Sequence, residues 1–361
     1  MKALTPRVHF HTFDALRTIA FLFVFISHIP FNDSDPLSIF HNTGGVAVTF
    51  FFVLSGFLIS YLLLHEKKQS GSIDLKSFFI RRALRIWPLY YAMLLFAFMT
   101  PYLISYLGLN HSSEGYTPNW ILSMLFLENY VMMFRDSFPN VSPMRVMWTL
   151  CIEEQFYIIW GLSFYFTSLK NIPKLIAIAI LVSFISKYTF SRLGYTPLDV
   201  FSFLDYFAYG TIGAYLFVCH NELVEKISTI IKLRVKQLYF VLVMAAIIML
   251  PQLQLFHNTA IFQSTIWGIL FAILILLTLG QSGPFKIPDT SILGRLGKYT
   301  FGLYLFHTIF INLLLNINYF NQNLYLVMVL SLLATILSGI LSYYVFEKPF
   351  LRLRNKLRNK I

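Results

Sequence analysis

Long apolar runs separated by short polar stretches set the pattern of this chain. Runs long enough to cross a bilayer as helices fall at about 13–30, 44–64, 86–107, 148–168, 173–190, 199–219, 236–251, 259–281, 298–316 and 323–346. An eleventh candidate, 119–134, is short and carries Glu128 and Asn129. The distribution of Lys and Arg decides whether it crosses. With ten spans and the N-terminus inside, 24 of the 28 basic residues face inward, and only Arg135, Arg145, Lys187 and Arg192 fall outside. If 119–134 also crossed, the division would be 13 inside and 15 outside. Cytoplasmic loops collect Lys and Arg, so the pattern predicts ten spans. The expected fold is an all-α polytopic membrane protein, a single bundle of about ten transmembrane helices. The 119–134 stretch is its one short re-entrant or interfacial segment, and both termini are cytoplasmic.

Composition agrees with the pattern. Hydrophobic residues make up 57% of the 361, charged residues 12%, and mean hydropathy is +0.67. A soluble chain carries about twice that charged fraction. The net charge of +12 therefore reads as positive loops and a basic tail, 348–360, against anionic lipid. It does not read as a nucleic-acid footprint. Cys151 and Cys219 both sit in apolar stretches, so neither a disulfide framework nor a zinc site is expected. The polar segment 1–12 and the absence of a small-residue cleavage site after the first span predict a retained first helix. One membrane-embedded domain, 1–361, is expected, with no appended soluble domain. The spans do not divide into two similar halves, which argues against an inverted-repeat transporter.

Candidate chemistry begins in the first span. Arg17 and His28 lie eleven positions apart, three helical turns to within about 20°, and so share a face. Ionisable groups inside a membrane are costly and mark function. A cation at one end and an imidazole roughly 16 Å further on suit a long anionic ligand acted on at its far end. Neutral imidazole is the natural general base at neutral pH, although a histidine hydrogen-bonded within the bundle fits the same position. Arg82 and Arg85, spaced i, i+3 ahead of the third span, offer convergent guanidinium groups for phosphates at a helix start. A positive-inside anchor accounts for them equally well.

The span beginning at 148 opens Trp148-Thr149-Leu150-Cys151-Ile152-Glu153-Glu154. Adjacent carboxylates one turn into an apolar helix cannot both face lipid cheaply. Glu153, Asp205 and His307 are expected at a depth close to that of His28. Tyr304 lies one turn before His307, and Glu347-Lys348-Pro349 reads as a charged stop to the last span. The stretch from Gly44 to Phe57 mixes small and aromatic residues, the composition of a close helix contact.

Taken in order, these segments resemble the membrane-bound acyltransferase family 3, which O-acylates bacterial surface glycans. The resemblance rests on Phe13-Asp14-Ala15-Leu16-Arg17 with His28, Ser55-Gly56-Phe57, and Arg82-Ala83-Leu84-Arg85-Ile86-Trp87-Pro88. It continues through Trp148-Thr149-Leu150 with Glu153, Tyr304 with His307, and Glu347-Lys348-Pro349. It implies a bacterial inner-membrane enzyme using acyl-coenzyme A, acetyl-coenzyme A above all, as cytoplasmic donor. The acceptor it implies is a hydroxyl of a surface polysaccharide, lipopolysaccharide or lipid-linked sugar. His28 becomes the catalytic base or transient acyl carrier, with Glu153 orienting it. Arg17, Arg82 and Arg85 become the donor's phosphate clamp, and Trp148, Asp205, Tyr304, His307 and Glu347 support the site. No metal is implied. The partners implied are the donor, the glycan and membrane lipid; without the extracytoplasmic domain many relatives carry, the chain is expected either to acylate its acceptor directly or to use a separate extracytoplasmic transferase.

Two departures stand out. Thr149 occupies a common serine position, and Phe203 stands where relatives place an arginine, which leaves Asp205 without an expected partner. A transporter or flippase of a lipid-linked glycan is the alternative reading, and it has no use for a thioester.

Overall fold

The computed structural model describes residues 8–106, 108, 114–141, 143–253, 260–280, 283–317 and 322–358. Segments 1–7 and 359–361, part of the expected polar N-terminal stretch and the end of the expected basic tail, lie outside the described residues. The chain is 80% helical, with no strand among the described residues. Among the described residues, fifteen α-helices follow in order: α1 (His11–Ser27), α2 (Thr43–Ser70), α3 (Leu75–Tyr106), α4 (Trp120–Met124), α5 (Glu128–Arg135), α6 (Met144–Phe166), α7 (Ile172–Arg192) and α8 (Leu204–Cys219). The remainder are α9 (Asn221–Ile230), α10 (Leu233–Met249), α11 (Ala260–Leu277), α12 (Ile292–Gly297), α13 (Thr300–Leu315), α14 (Leu324–Ser342) and α15 (Lys348–Arg358).

Each of the ten apolar runs carries a helix. By length and composition, five among the described residues suffice to cross a membrane: the stretches built on α2, α3, α7, α10 and α14. The apolar parts of α11 and α13 are shorter. The 119–134 segment folds as α4 and α5, of 5 and 8 residues, neither able to span a bilayer.

Contacts group the chain into two units interleaved in sequence: Met1–Val24, Asn42–Leu75 and Phe156–Lys298 form one, and Phe25–His41, Lys76–Gln155 and Tyr299–Ile361 the other. In the first, α2 is the central helix, with 72% of its apolar window buried against 17% for that of α10. Close approach to α8 requires glycine. A Cβ on Gly56 would lie 2.2 Å from the Phe207 carbonyl oxygen, and one on Gly210 only 1.9 Å from that of Val53. The small-residue stretch in α2 is a packing surface, as expected. The buried polar groups at this contact satisfy one another. The Ser60 and Thr211 hydroxyls are 2.7 Å apart, and Trp160 Nε1 donates to Ser60 Oγ at 2.8 Å. Lys67 closes the carboxyl end of α6 by donating to the carbonyls of Phe164, Tyr165 and Thr167.

In the second unit, α4 and α5 are strapped to α3 and to the start of α6. Glu128, buried at the start of α5, accepts from the Tyr116 hydroxyl and from Ser123 Oγ. Burial, reinforced by the Glu128 carboxylate, pushes the Tyr116 hydroxyl well above its ordinary range, so it remains a donor. Phe126 adopts φ +56°, a costly conformation for a bulky residue. Stacking on Tyr90 at 4.1 Å and the bond from Gln155 Nε2 to its carbonyl hold it there.

The expected stop at Glu347-Lys348-Pro349 does not occur. A π-helical turn, Tyr343–Glu347, carries α14 into α15. Pro349 falls in the first turn of α15, where a missing N–H costs little. The turn absorbs the register change.

Candidate active site

His28 lies just past α1, which ends at Ser27 rather than running on to residue 30. Its ring is exposed at the carboxyl end of that helix. Edge to face against it stands His307 of α13, with ring centroids 5.0 Å apart and planes at 83°. His307 is fully buried. Its Nδ1 lies 2.6 Å from the Tyr304 carbonyl, which can only accept, so Nδ1 carries the proton and the neutral ring presents Nε2 as an acceptor.

Beside His307, Tyr304 joins α13 to the start of α6. Tyr304 donates to the Val146 carbonyl at 3.1 Å and receives a bond from Thr149 Oγ1 at 3.2 Å. The serine-to-threonine change thus keeps the hydroxyl that the position uses. Glu153 and Trp148 lie on the same first turns of α6, and Glu153 is within electrostatic range of Tyr304. The more buried carboxylate is Glu154, whose Oε2 accepts from Trp87 Nε1 at 2.9 Å. Glu153, the neighbour expected at the site, is the less buried of the two. The signal for Glu154 was the depth of the pair in an apolar helix, which does not say which member turns inward.

The arginine pair lies elsewhere on its helix than expected. Helix α3 begins at Leu75, so Arg82 and Arg85 are two turns or more inside it rather than at its start. They can therefore hold an anion only through their side chains, without the amide groups of a helix end. Arg82 acts electrostatically on Glu154, and exposed Arg85 on Glu347, which also accepts from Ser342 Oγ at 3.3 Å. Gly302 of α13 lets α14 approach, since a Cβ there would lie 3.3 Å from Gly339 Cα.

Two predicted site residues lie in the first unit. Arg17 pairs with Asp14 one turn earlier, Nη1 to Oδ1 2.5 Å. Gly297 fixes the Asp14 backbone, because a Cβ on it would lie 2.0 Å from the Asp14 carbonyl. Asp205 has a partner after all. Lys187 of α7 donates to it at 2.5 Å, and both side chains are buried. The arginine absent at Phe203 is replaced in charge from a neighbouring helix.

A family model described as an acyltransferase domain, that of acyltransferase family 3, matches residues 10–344. The chain belongs to this family. Among its relatives, the peptidoglycan O-acetyltransferase OatA of Listeria monocytogenes is 35% identical over 178 residues, 47% of this chain and 26% of that protein. A provisionally named peptidoglycan O-acetyltransferase of Bacillus subtilis is 36% identical over 152 residues, 41% of this chain and 22% of the relative. The matched stretch thus spans about a quarter of these relatives' own length. No solved structure matches. In this acyltransferase 3 protein, Arg17 and Asp205 belong to the first unit, and His28, His307 and the carboxylates of α6 to the second.

Proposed function

We propose that this protein transfers an acyl group, acetyl foremost, from acyl-coenzyme A at the cytoplasmic face of the bacterial plasma membrane to a hydroxyl of a cell-wall or surface glycan. The observation that carries the reading is the exposed His28 imidazole at the carboxyl end of α1, backed by the buried, neutral His307. The names of the relatives support an acetyl group and a glycan acceptor.

In the reaction, His28 takes the proton from the acceptor hydroxyl as its oxygen attacks the thioester carbonyl. Collapse of the tetrahedral intermediate breaks the carbon–sulfur bond. The coenzyme A thiolate leaves and the proton on His28 neutralises it. Glu153 balances the charge on the imidazole. Arg82 and Arg85 bind phosphate oxygens of the donor, for which guanidinium groups are the best side chains. Arg17 is assigned to the donor on family resemblance alone. The basic helix α15 rests on anionic lipid.

Thiol release from acetyl-coenzyme A by the purified, detergent-solubilised chain tests the reading. Release that rises with added glycan or glycolipid supports direct transfer. Release that needs a separate extracytoplasmic transferase supports a relay. Absence of release with either would overturn the donor assignment.

A further inference from the structure

The first unit holds a polar cluster that acyl transfer does not use. His9 lies just ahead of α1, His11 opens it, and Asp289 precedes α12, 278 residues beyond His11. His11 Nδ1 and His9 Nε2 lie 2.5 and 2.9 Å from the same carboxylate oxygen, Asp289 Oδ2. One ligand atom from each residue falls within 4.8 Å of the others.

The arrangement is built by the backbone. Thr12, buried beside His11, donates to the Phe285 carbonyl at 3.3 Å and accepts from the Ile287 amide at 3.2 Å. That clamp holds the two segments in register two residues before Asp289. Gly294 completes it, since a Cβ there would lie 2.7 Å from Asp289 Cα. The second carboxylate oxygen, Asp289 Oδ1, is buried without a hydrogen-bond donor.

Two imidazole nitrogens converge on one carboxylate oxygen, beside a second, buried oxygen with no donor, in the grouping that a cation would draw together. We propose that His9, His11 and Asp289 bind a divalent transition cation of the zinc class. Two imidazole nitrogens and one carboxylate suit borderline metals, and the exposure of both rings leaves a coordination position open to solvent. The ion fastens the segment ahead of α1 to the loop before α12. It sits at the rim of a cavity of about 700 Å³ that both histidines line together with His65, Lys68 and Lys286. The spacing of the cysteines pointed away from a metal, and Asp289 is too distant in sequence to join a visible motif.

The test uses the untagged full-length chain in detergent, stripped with a chelator and titrated with Co²⁺, with Zn²⁺ as competitor. The expected result is one Co²⁺ per chain with ligand-field absorption that Zn²⁺ abolishes. His9→Ala and Asp289→Asn should each raise the Kd on the order of tenfold or more. His65→Ala, which lines the cavity outside the cluster, should leave it unchanged. Each variant's thermal unfolding without metal establishes that it is folded. No stoichiometric absorption from folded wild type, or a Kd unaffected in both cluster variants, would overturn the site.

Discussion

The imidazoles of His28 and His307 stand edge to face with centroids 5.0 Å apart, one exposed and the other buried. The buried ring is fixed by the bond from its Nδ1 to the Tyr304 carbonyl. In the proposed reaction it is the rigid neighbour that orients the exposed ring. His307→Phe keeps the ring and removes both nitrogens. We expect kcat to fall about tenfold, equivalent to about 1.4 kcal/mol, with the KM for the acyl donor unchanged. Steady-state thiol release checks this.

Arg85 is exposed on α3 with Glu347 as its electrostatic neighbour. A side chain engaged equally in ground and transition states changes KM alone. Arg85→Gln should therefore raise the apparent KM for acyl-coenzyme A about tenfold while kcat holds, since a charged hydrogen bond is worth about 1.5–3 kcal/mol. A kcat loss at constant KM would remove Arg85 from the donor clamp.

Asp205 and Lys187 form a buried ion pair. Removing one partner strands the other, at a cost of about 3–5 kcal/mol, whereas replacing both with apolar residues is often near neutral. Asp205→Leu alone should lower the Tm of the detergent-solubilised protein markedly, and Lys187→Met added to it should restore most of the loss. An unchanged Tm in the single variant would show that the pair does not hold α7 to α8.

At Gly56 an added methyl would meet the Phe207 backbone at 2.2 Å. Neither backbone can yield as a flexible side chain would, so Gly56→Ala should destabilise by about 1–3 kcal/mol. Gly45→Ala, whose Cβ meets nothing within 4 Å, is the control. Thermal melts of the two variants give the comparison.

Much of this was legible from residue pattern alone. Every long apolar run carries a helix, and 119–134 folds as two helices too short to span a bilayer, with Glu128 bonded to Tyr116 and Ser123. Helix ends were less legible. Helix α3 starts at Leu75 because its polar first turns keep helical character without the apolar run that marked residue 86. The stop at Pro349 failed because a π turn, which has no sequence signature, precedes it. Pairings across distance were the least visible. Lys187 lies near the outer end of the 173–190 run, and nothing in its sequence neighbourhood announces that it reaches inward to Asp205. Glu154 rather than Glu153 takes the buried bond to Trp87 because of helix rotation, which adjacent residues of one type cannot reveal.

The most direct test of the account compares wild type with His28→Ala in acetyl-coenzyme A turnover, with glycan acceptor present and folding checked by thermal melting. Loss of a general base costs about 10²–10⁴-fold, so turnover in the variant should fall by that factor while the melt stays unchanged. A folded His28→Ala protein that retains full turnover would contradict the assignment of the chemistry to the end of α1.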